Sequence, residues 1–189
     1  MRPKQKGIFT RVEKVAAQLR QQGTVGKEYS ANPAKELLTL RILVTGSSGW
    51  LGQTLVPRLS AEGHQVIGLD PVPSRHTQIV GTIADRKLVR RAIRDFEADG
   101  IVHAGALHKP HIETHRALDF VPVNVQGTLN LLEEAVTSKV DRFIFTSTTS
   151  LMISREIWAG ASGHPKKAVW ITEEMTPLLP RNIYGVTKL

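Results

Sequence analysis

Arg41-Ile42-Leu43-Val44-Thr45-Gly46-Ser47-Ser48-Gly49-Trp50-Leu51-Gly52 carries the clearest fold signal in the chain. Its first five residues form a short apolar run of the kind a fully buried strand needs. Glycines follow at 46, 49 and 52, and residues 50–62 then read as a helix, with a kink expected at Pro57. A strand, a glycine-rich turn and a helix in that order suit a bound dinucleotide. One glycine lets the chain turn sharply off the strand, one lets backbone approach a pyrophosphate, and the last lets helix and strand pack closely. The free N–H groups and positive end of the helix would meet the phosphates. Gly46, Ser48, Gly49, Trp50, Leu51 and Gly52 are therefore candidate cofactor contacts.

Beyond this stretch, strands and helices alternate. Gln65–Asp70 reads as a second strand and 78–83 as a weak third. Asp85 is a candidate N-cap for a helix to about Glu97, closed by Gly100. Residues 101–106 form a fourth strand, 120–138 a longer helix and 142–147 a fifth strand. This alternation predicts right-handed crossovers and an α/β fold with a parallel, doubly wound sheet of about five strands. Asp70 ends the second strand 24 residues after Gly46, where a carboxylate accepts hydrogen bonds from ribose hydroxyls. The same charge repels a 2′-phosphate, so NAD is favoured over NADP, although Arg75 lies nearby.

The remaining arithmetic is mostly exclusion. The chain has 189 residues, 41% apolar and 22% charged, within the range of globular proteins. It lacks cysteine, which excludes disulfide scaffolds, Cys-ligated zinc and thiol catalysis. No apolar run is long enough to span a membrane, and no secretory h-region is present, so a cytoplasmic location is expected. The net charge is +8, but residues 1–40 hold eight Lys/Arg against three Asp/Glu. The excess thus belongs to a basic N-terminal extension ahead of a domain at 41–189. Within it, 8–20 reads as an amphipathic helix and 21–34 as a linker. No recognition motif accompanies the charge, so no specific nucleic-acid partner is expected.

At the far end stands Tyr184-Gly-Val-Thr-Lys188. On a helix, Tyr184 and Lys188 share one face, and a neighbouring ammonium favours the phenolate. Hydroxyls at 146–150 lie near the carboxyl edge of the sheet. His108, His111 and His115 have helical spacing, but Pro110 interrupts it; cleft-lining or surface histidines are expected there rather than a metal site.

Taken together, Thr45-Gly-x-x-Gly-x-x-Gly52, Asp70, His103-Ala-Gly-Ala106, Asn124-Val-x-Gly-Thr128, the 145–150 strand end and Tyr184-x-x-x-Lys188 resemble the NAD-dependent epimerase/dehydratase family of extended short-chain dehydrogenase/reductases. The resemblance covers about 40–189. It implies a Rossmann-type fold, bound NAD, and hydride transfer at a carbon of a sugar, including a nucleotide-sugar, or of another secondary alcohol. Tyr184 would be the catalytic base, Lys188 would bind the nicotinamide ribose, and Thr148 would hold the substrate oxygen, with Ser147 and Thr149 as neighbours in register. Ala104, Gly105, Ala106 and Ile83 would line the cofactor, and Asn124 would support the site.

Three departures qualify this. Thr82 stands where the family often has Asp. Thr148 and Tyr184 are 36 residues apart, with a loop carrying Trp158, Gly160, Gly163, His164, Lys166, Lys167 and Trp170; a lid and a variable insertion are both open. The sequence also stops one residue after Lys188, where the family continues. It is thus expected to be the N-terminal part of an enzyme with a small-molecule substrate, homodimeric in full-length form. By itself it is expected to bind NAD weakly and turn over no substrate. The alternatives are a non-catalytic dinucleotide-binding module and an inactive remnant.

Overall fold

The computed structural model describes residues 39–152, 172, 174 and 178–189. The helix expected at 8–20, the linker expected at 21–34 and the loop expected around 158–170 lie outside the described residues. The chain divides after Glu36, and every described residue belongs to the second unit.

Five parallel strands form one sheet: β1 (Arg41–Thr45), β2 (Gln65–Asp70), β3 (Ile79–Val80), β4 (Gly100–His103) and β5 (Arg142–Phe145). Their order is β3-β2-β1-β4-β5. Helix α1 (Trp50–Ala61) joins β1 to β2, and α2 (Arg86–Asp95) joins β3 to β4. Between β4 and β5 run α3 (Ala117–Phe120), a wide π-turn segment (Val121–Gln126) and α4 (Gly127–Thr137). A last short helix, α5, covers Ile183–Val186.

Side chains alternate across β1, and each face builds a core. Leu43 joins Leu69, Ile101, Val89, Ile93 and Leu131 beneath α2 and α4. Ile42 and Val44 face the other way, onto Val56 of α1. The strand order reverses between β1 and β4, because the connection from β1 leads to one side and the chain returns to β4 on the other. The carboxyl ends of these two strands therefore flank the crevice where ligands of such sheets bind.

Several element boundaries differ from the sequence expectation. The third strand shrinks to Ile79 and Val80, paired with Leu69 and Asp70 at the sheet edge. The chain then turns through 82–85, where Asp85 N–H donates to the Thr82 carbonyl. Asp85 does cap α2, its carboxylate accepting from the Lys87 and Leu88 N–H groups at 2.9 and 3.1 Å. Glu97 follows α2 in the left-handed region, at φ 50°, and Gly100 is the first residue of β4 rather than a helix stop. β4 ends at His103, not Ala106, because the chain from Ala104 bends over the β1 turn, with Ala104 N–H donating to the Thr45 carbonyl. The expected 120–138 helix begins earlier and contains a π segment at Val121–Gln126. Pro122 has no N–H, and its carbonyl accepts from Gly127 five residues on, which widens the turn around Asn124.

Candidate functional site

The glycine loop is shaped by close approach. Gly46 has φ +75°, and a Cβ there would lie 2.6 Å from Gly105 N and 2.8 Å from the Ala104 carbonyl carbon. The turn after β1 and the turn after β4 thus touch through backbone at the switch point. A Cβ on Gly52 would come within 2.2 Å of the Gly46 carbonyl oxygen, so helix and turn also require glycine. Gly49 is different. Only the Gly46 carbonyl lies near its Cβ position, at 3.3 Å, and the residue is exposed. Gly49 is also the N-cap of α1, without a side-chain cap. No side chain caps the first N–H groups of α1, an arrangement suited to an anion.

Asp70 closes one side of this crevice. It is buried, and its carboxylate accepts from Ser48 N–H at 3.3 Å and Val72 N–H at 2.8 Å. It therefore ties the glycine loop to the end of β2. A second tie, absent from the sequence reading, runs through hydroxyls. Ser47 Oγ lies 2.8 Å from Thr77 Oγ1, which lies 2.8 Å from Ser74 Oγ. Nothing in the spacing marks these residues, because the 71–78 loop meets the glycine loop only in the folded chain.

The other expected contacts divide. Ala104, Gly105 and Ala106 are half-buried beside the Gly46 turn. Leu51 is half-buried on α1, whereas Trp50 is 69% exposed at its start. Ile83 sits in the core, packed where a Cβ on Gly127 would meet it at 2.5 Å. Its backbone carbonyl is held by buried Asn130 Nδ2 at 2.9 Å. At the Thr82 departure, the hydroxyl accepts from Ala84 N–H and shapes the turn.

On the opposite side, Asn124 is buried in the π segment. Its Oδ1 accepts from Leu107 N–H at 2.8 Å, and its Nδ2 donates to the Leu107 carbonyl and to Thr187 Oγ1, at 2.8 and 2.9 Å. Thr187 in turn donates to the Tyr184 carbonyl at 3.1 Å. Asn124 thereby anchors both the turn after β4 and the segment that carries Tyr184. Asn182 caps that segment through Gly185 N–H at 2.9 Å.

α5 has only four residues, and Lys188 lies in the turn beyond it, bonded from its N–H to the Gly185 carbonyl. The expected single helical face for Tyr184 and Lys188 is therefore a helix followed by a tightened turn. Lys188 is buried; its ammonium donates to the Thr146 carbonyl at 3.0 Å and sits 4.3 Å above the Phe145 ring. Burial pulls its pKa down to about 8. Tyr184 is half-buried. Thr148 caps the short turn Thr149–Leu151, its oxygen accepting from Ser150 N–H at 3.2 Å. That leaves the Thr148 hydroxyl proton available to another acceptor.

Of the three spaced histidines only His111 stands on the 3-10 turn at Lys109–Glu113; His108 is its N-cap residue, and His115 follows the C-cap residue Thr114. Their rings meet edge-on at 4.5 and 5.2 Å, and His111 Nδ1 accepts from His108 N–H. Among the described residues, no group of three His, Cys, Asp or Glu is placed to hold a metal ion, and no helix is long and apolar enough to cross a membrane.

Comparison with known proteins gives this arrangement its context. The NAD dependent epimerase/dehydratase family profile matches residues 42–189. The UDP-glucose 4-epimerase of Lactobacillus helveticus is 32% identical over 158 residues, which is 79% of this chain and 44% of that protein. A 3-beta-hydroxysteroid dehydrogenase of Mycolicibacterium neoaurum is 35% identical over 124 residues, covering 60% of this chain and 33% of that one. The crystal structure of the Thermus thermophilus UDP-glucose 4-epimerase in complex with NAD superposes with a TM-score of 0.65 at 27% identity, over 79% of this chain and 47% of that one. The chain thus spans a little under half the length of the epimerases it matches. Because the match runs from β1 through the switch-point crevice to α5, the chain belongs to the NAD dependent epimerase/dehydratase family.

Proposed function

We propose that this chain is the cofactor-binding part of an NAD-dependent sugar epimerase or dehydratase, with a nucleotide-sugar as the favoured substrate class. The observation that carries the reading is the crevice between β1 and β4. There Gly46 and Gly105 meet through backbone, exposed Gly49 begins α1 without a side-chain cap, and Asp70 borders the same loop. These residues fit a dinucleotide: α1 and the glycine loop would receive its pyrophosphate, and Asp70 the adenosine ribose. The Asp70 charge favours NAD over NADP. Bound there, NAD would supply a hydride acceptor.

On the catalytic side, Tyr184 would take the substrate hydroxyl proton, Lys188 would hold the nicotinamide ribose and Thr148 would donate to the substrate oxygen. Lys188, with its pKa near 8, is charged at neutral pH and exchanges its proton readily above it. The likeness to UDP-glucose 4-epimerases favours the sugar substrate. A dehydrogenase acting on another secondary alcohol is the neighbouring reading, favoured by the steroid dehydrogenase likeness. A homodimer is proposed for the full-length protein, and a cytoplasmic location is retained as part of this reading. So are the boundary near residue 40 and a basic extension without a specific nucleic-acid partner.

A dinucleotide-binding module without chemistry is the second reading. It is favoured by the four-residue α5 and by the bond of Lys188 to the Thr146 carbonyl. On the same grounds, the 189-residue chain alone is expected to convert no UDP-glucose.

Titration of the purified chain with NAD and NADP, followed by calorimetry, tests the cofactor assignment. Saturable NAD binding that Asp70→Ala weakens at least tenfold supports it. Absence of NAD binding at millimolar concentration, or tighter binding of NADP, overturns it. Release of UDP-galactose from UDP-glucose by the chain, lost in Tyr184→Phe, would instead overturn the expectation of inactivity and support the catalytic assignment.

A further inference from the structure

His103 ends β4 with 1% of its surface exposed, and the catalytic assignment gives it no role. Both ring nitrogens are engaged. Nδ1 lies 2.7 Å from Thr45 Oγ1, and Nε2 lies 2.9 Å from Thr128 Oγ1. The directions of these bonds follow from proton counting. Thr128 has one hydroxyl proton, and it goes to the Asn124 carbonyl at 2.5 Å. Thr128 can therefore only accept from the ring, which places the ring proton on Nε2. Nδ1 is then an acceptor and takes the Thr45 hydroxyl proton. Thr45 in turn accepts from Gly105 N–H at 3.1 Å. Each group uses its one proton once, and no donor is left over.

The result is a directed chain of hydrogen bonds through the middle of the molecule. It starts at Gly105, whose backbone abuts the glycine loop, and passes through Thr45, His103 and Thr128 to Asn124. From the Asn124 side chain it continues through Thr187 to Tyr184. The chain joins β1, β4, α4, the π segment and α5. The Phe143 and Phe145 rings lie 6.2 and 5.5 Å from the His103 ring, which is itself buried. Thr45 and His103 are both fully buried, so breaking the bond between them leaves a buried polar group without a partner.

We propose that His103 is a positioning residue, fixed as the neutral Nε2–H imidazole, that couples the cofactor-facing turn at Gly105 to the helix carrying Asn124 and thence to Tyr184. Its significance for catalysis rests on the assignment of Tyr184 above; the coupling itself does not. An imidazolium would place a second proton against Thr45 and reverse that end of the chain. Burial, with Lys188 as the charged group acting on the ring, holds the His103 pKa down to about 3, so the neutral form persists. A phenylalanine or leucine at 103 would fill the space but strand two hydroxyls.

The test uses the full 189-residue chain, labelled with 15N and free of ligand. Long-range proton–nitrogen spectra of the imidazoles are recorded between pH 8 and 5. His103 is expected to show a protonated Nε2 and a bare Nδ1 throughout. A proton on Nδ1, or titration of His103 in that range, overturns the proposal. Amide exchange then tests the coupling. Thr128→Val is expected to speed exchange at Gly105 N–H by about fivefold to tenfold, although Thr128 does not touch it, with Leu43 and Leu131 unchanged. Thr128→Ser, which keeps the hydroxyl, is expected to restore the original rate. An unchanged Gly105 rate in Thr128→Val, or no rescue by serine, overturns the coupling. If Thr128→Val does not fold, the wild-type spectra still decide the tautomer, and Thr45→Ser against Thr45→Val supplies the exchange comparison at Leu107. None of these readouts uses NAD, so a chain that fails to bind NAD would defeat the cofactor assignment and leave this result standing.

Discussion

Glycines 46 and 49 belong to one motif but answer to different forces. Gly46 has a left-handed backbone and backbone atoms within 3 Å of its Cβ position. Gly46→Ala is expected to cost about 2–4 kcal/mol, combining conformational strain with displaced backbone. The urea midpoint should fall with no change in slope. Gly49→Ala meets only one atom, the Gly46 carbonyl oxygen at 3.3 Å, a tight contact that a shift of a few tenths of an ångström relieves. It should cost less than about 1 kcal/mol in stability, yet reduce NAD affinity in calorimetry by tenfold or more. A stability loss at Gly49 equal to that at Gly46 would contradict this division. Lys188 gives a second prediction at this scale. Its folded pKa, near 8, lies below the ordinary lysine value of 10.5 because of burial. Between those values the unfolded chain binds more protons than the folded one, so stability rises with pH across that window. Lys188→Met should abolish this rise, and denaturant titrations at pH 7.5 and 10 would show it as a pH-dependent difference between variant and wild type.

At the scale of elements, α2 and α4 are fastened by a buried carboxylate. Glu134 is fully buried on α4; Arg90 Nη2 reaches it at 2.9 Å and Arg86 Nε at 3.3 Å, while Arg86 also meets Glu133 at 2.7 Å. The Arg90 hydrogen bond holds the Glu134 pKa below the usual carboxylate value. Its contribution is therefore present above the unfolded pKa and lost as pH falls through the lower folded one. The two guanidinium groups are half-exposed, so removing the acid lets them rehydrate. Glu134→Ala is accordingly expected to cost about 1–3 kcal/mol, which a thermal melt at pH 7 would register as a fall of several degrees. The π segment is the other lesson at this scale. A regular helix through 120–138 matches the apolar pattern, but Pro122 withholds an N–H and the ladder widens. The widened turn is where Asn124 is held.

Across the whole molecule, the sheet ends among the described residues at β5, a strand with little cover. Ile144 is 54% exposed there, and Phe145 is exposed beside it. An apolar edge of this kind invites pairing with a second chain. Replacement of Ile144 by lysine should lower the concentration-dependent association of the 189-residue chain, read by light scattering, while leaving its far-UV spectrum intact. The same view explains the crevice. No single element forms it; the reversal of strand order between β1 and β4 does, by splaying the two connections apart.

Local pattern was enough to establish the alternation of strands and helices, because apolar period and turn glycines are properties of neighbouring residues. It also put Gly46, Gly49, Gly52 and Asp70 forward as candidates from what backbone and carboxylate can do at the end of a strand, and the fold gathers them at one turn. Asn124, Tyr184 and Lys188 were named as candidates through family resemblance, but the bonds that hold them could not be read from the sequence. The folded chain was needed to show that Thr45, His103 and Thr128 form one directed network, that Ser47 is tied to Thr77, and that Glu134 is a buried anchor. Each of these depends on groups 25 to 58 residues apart meeting away from water. Hydrogen-bond partners of that kind have no periodicity to read; burial selects them, because an unpaired polar group there is costly.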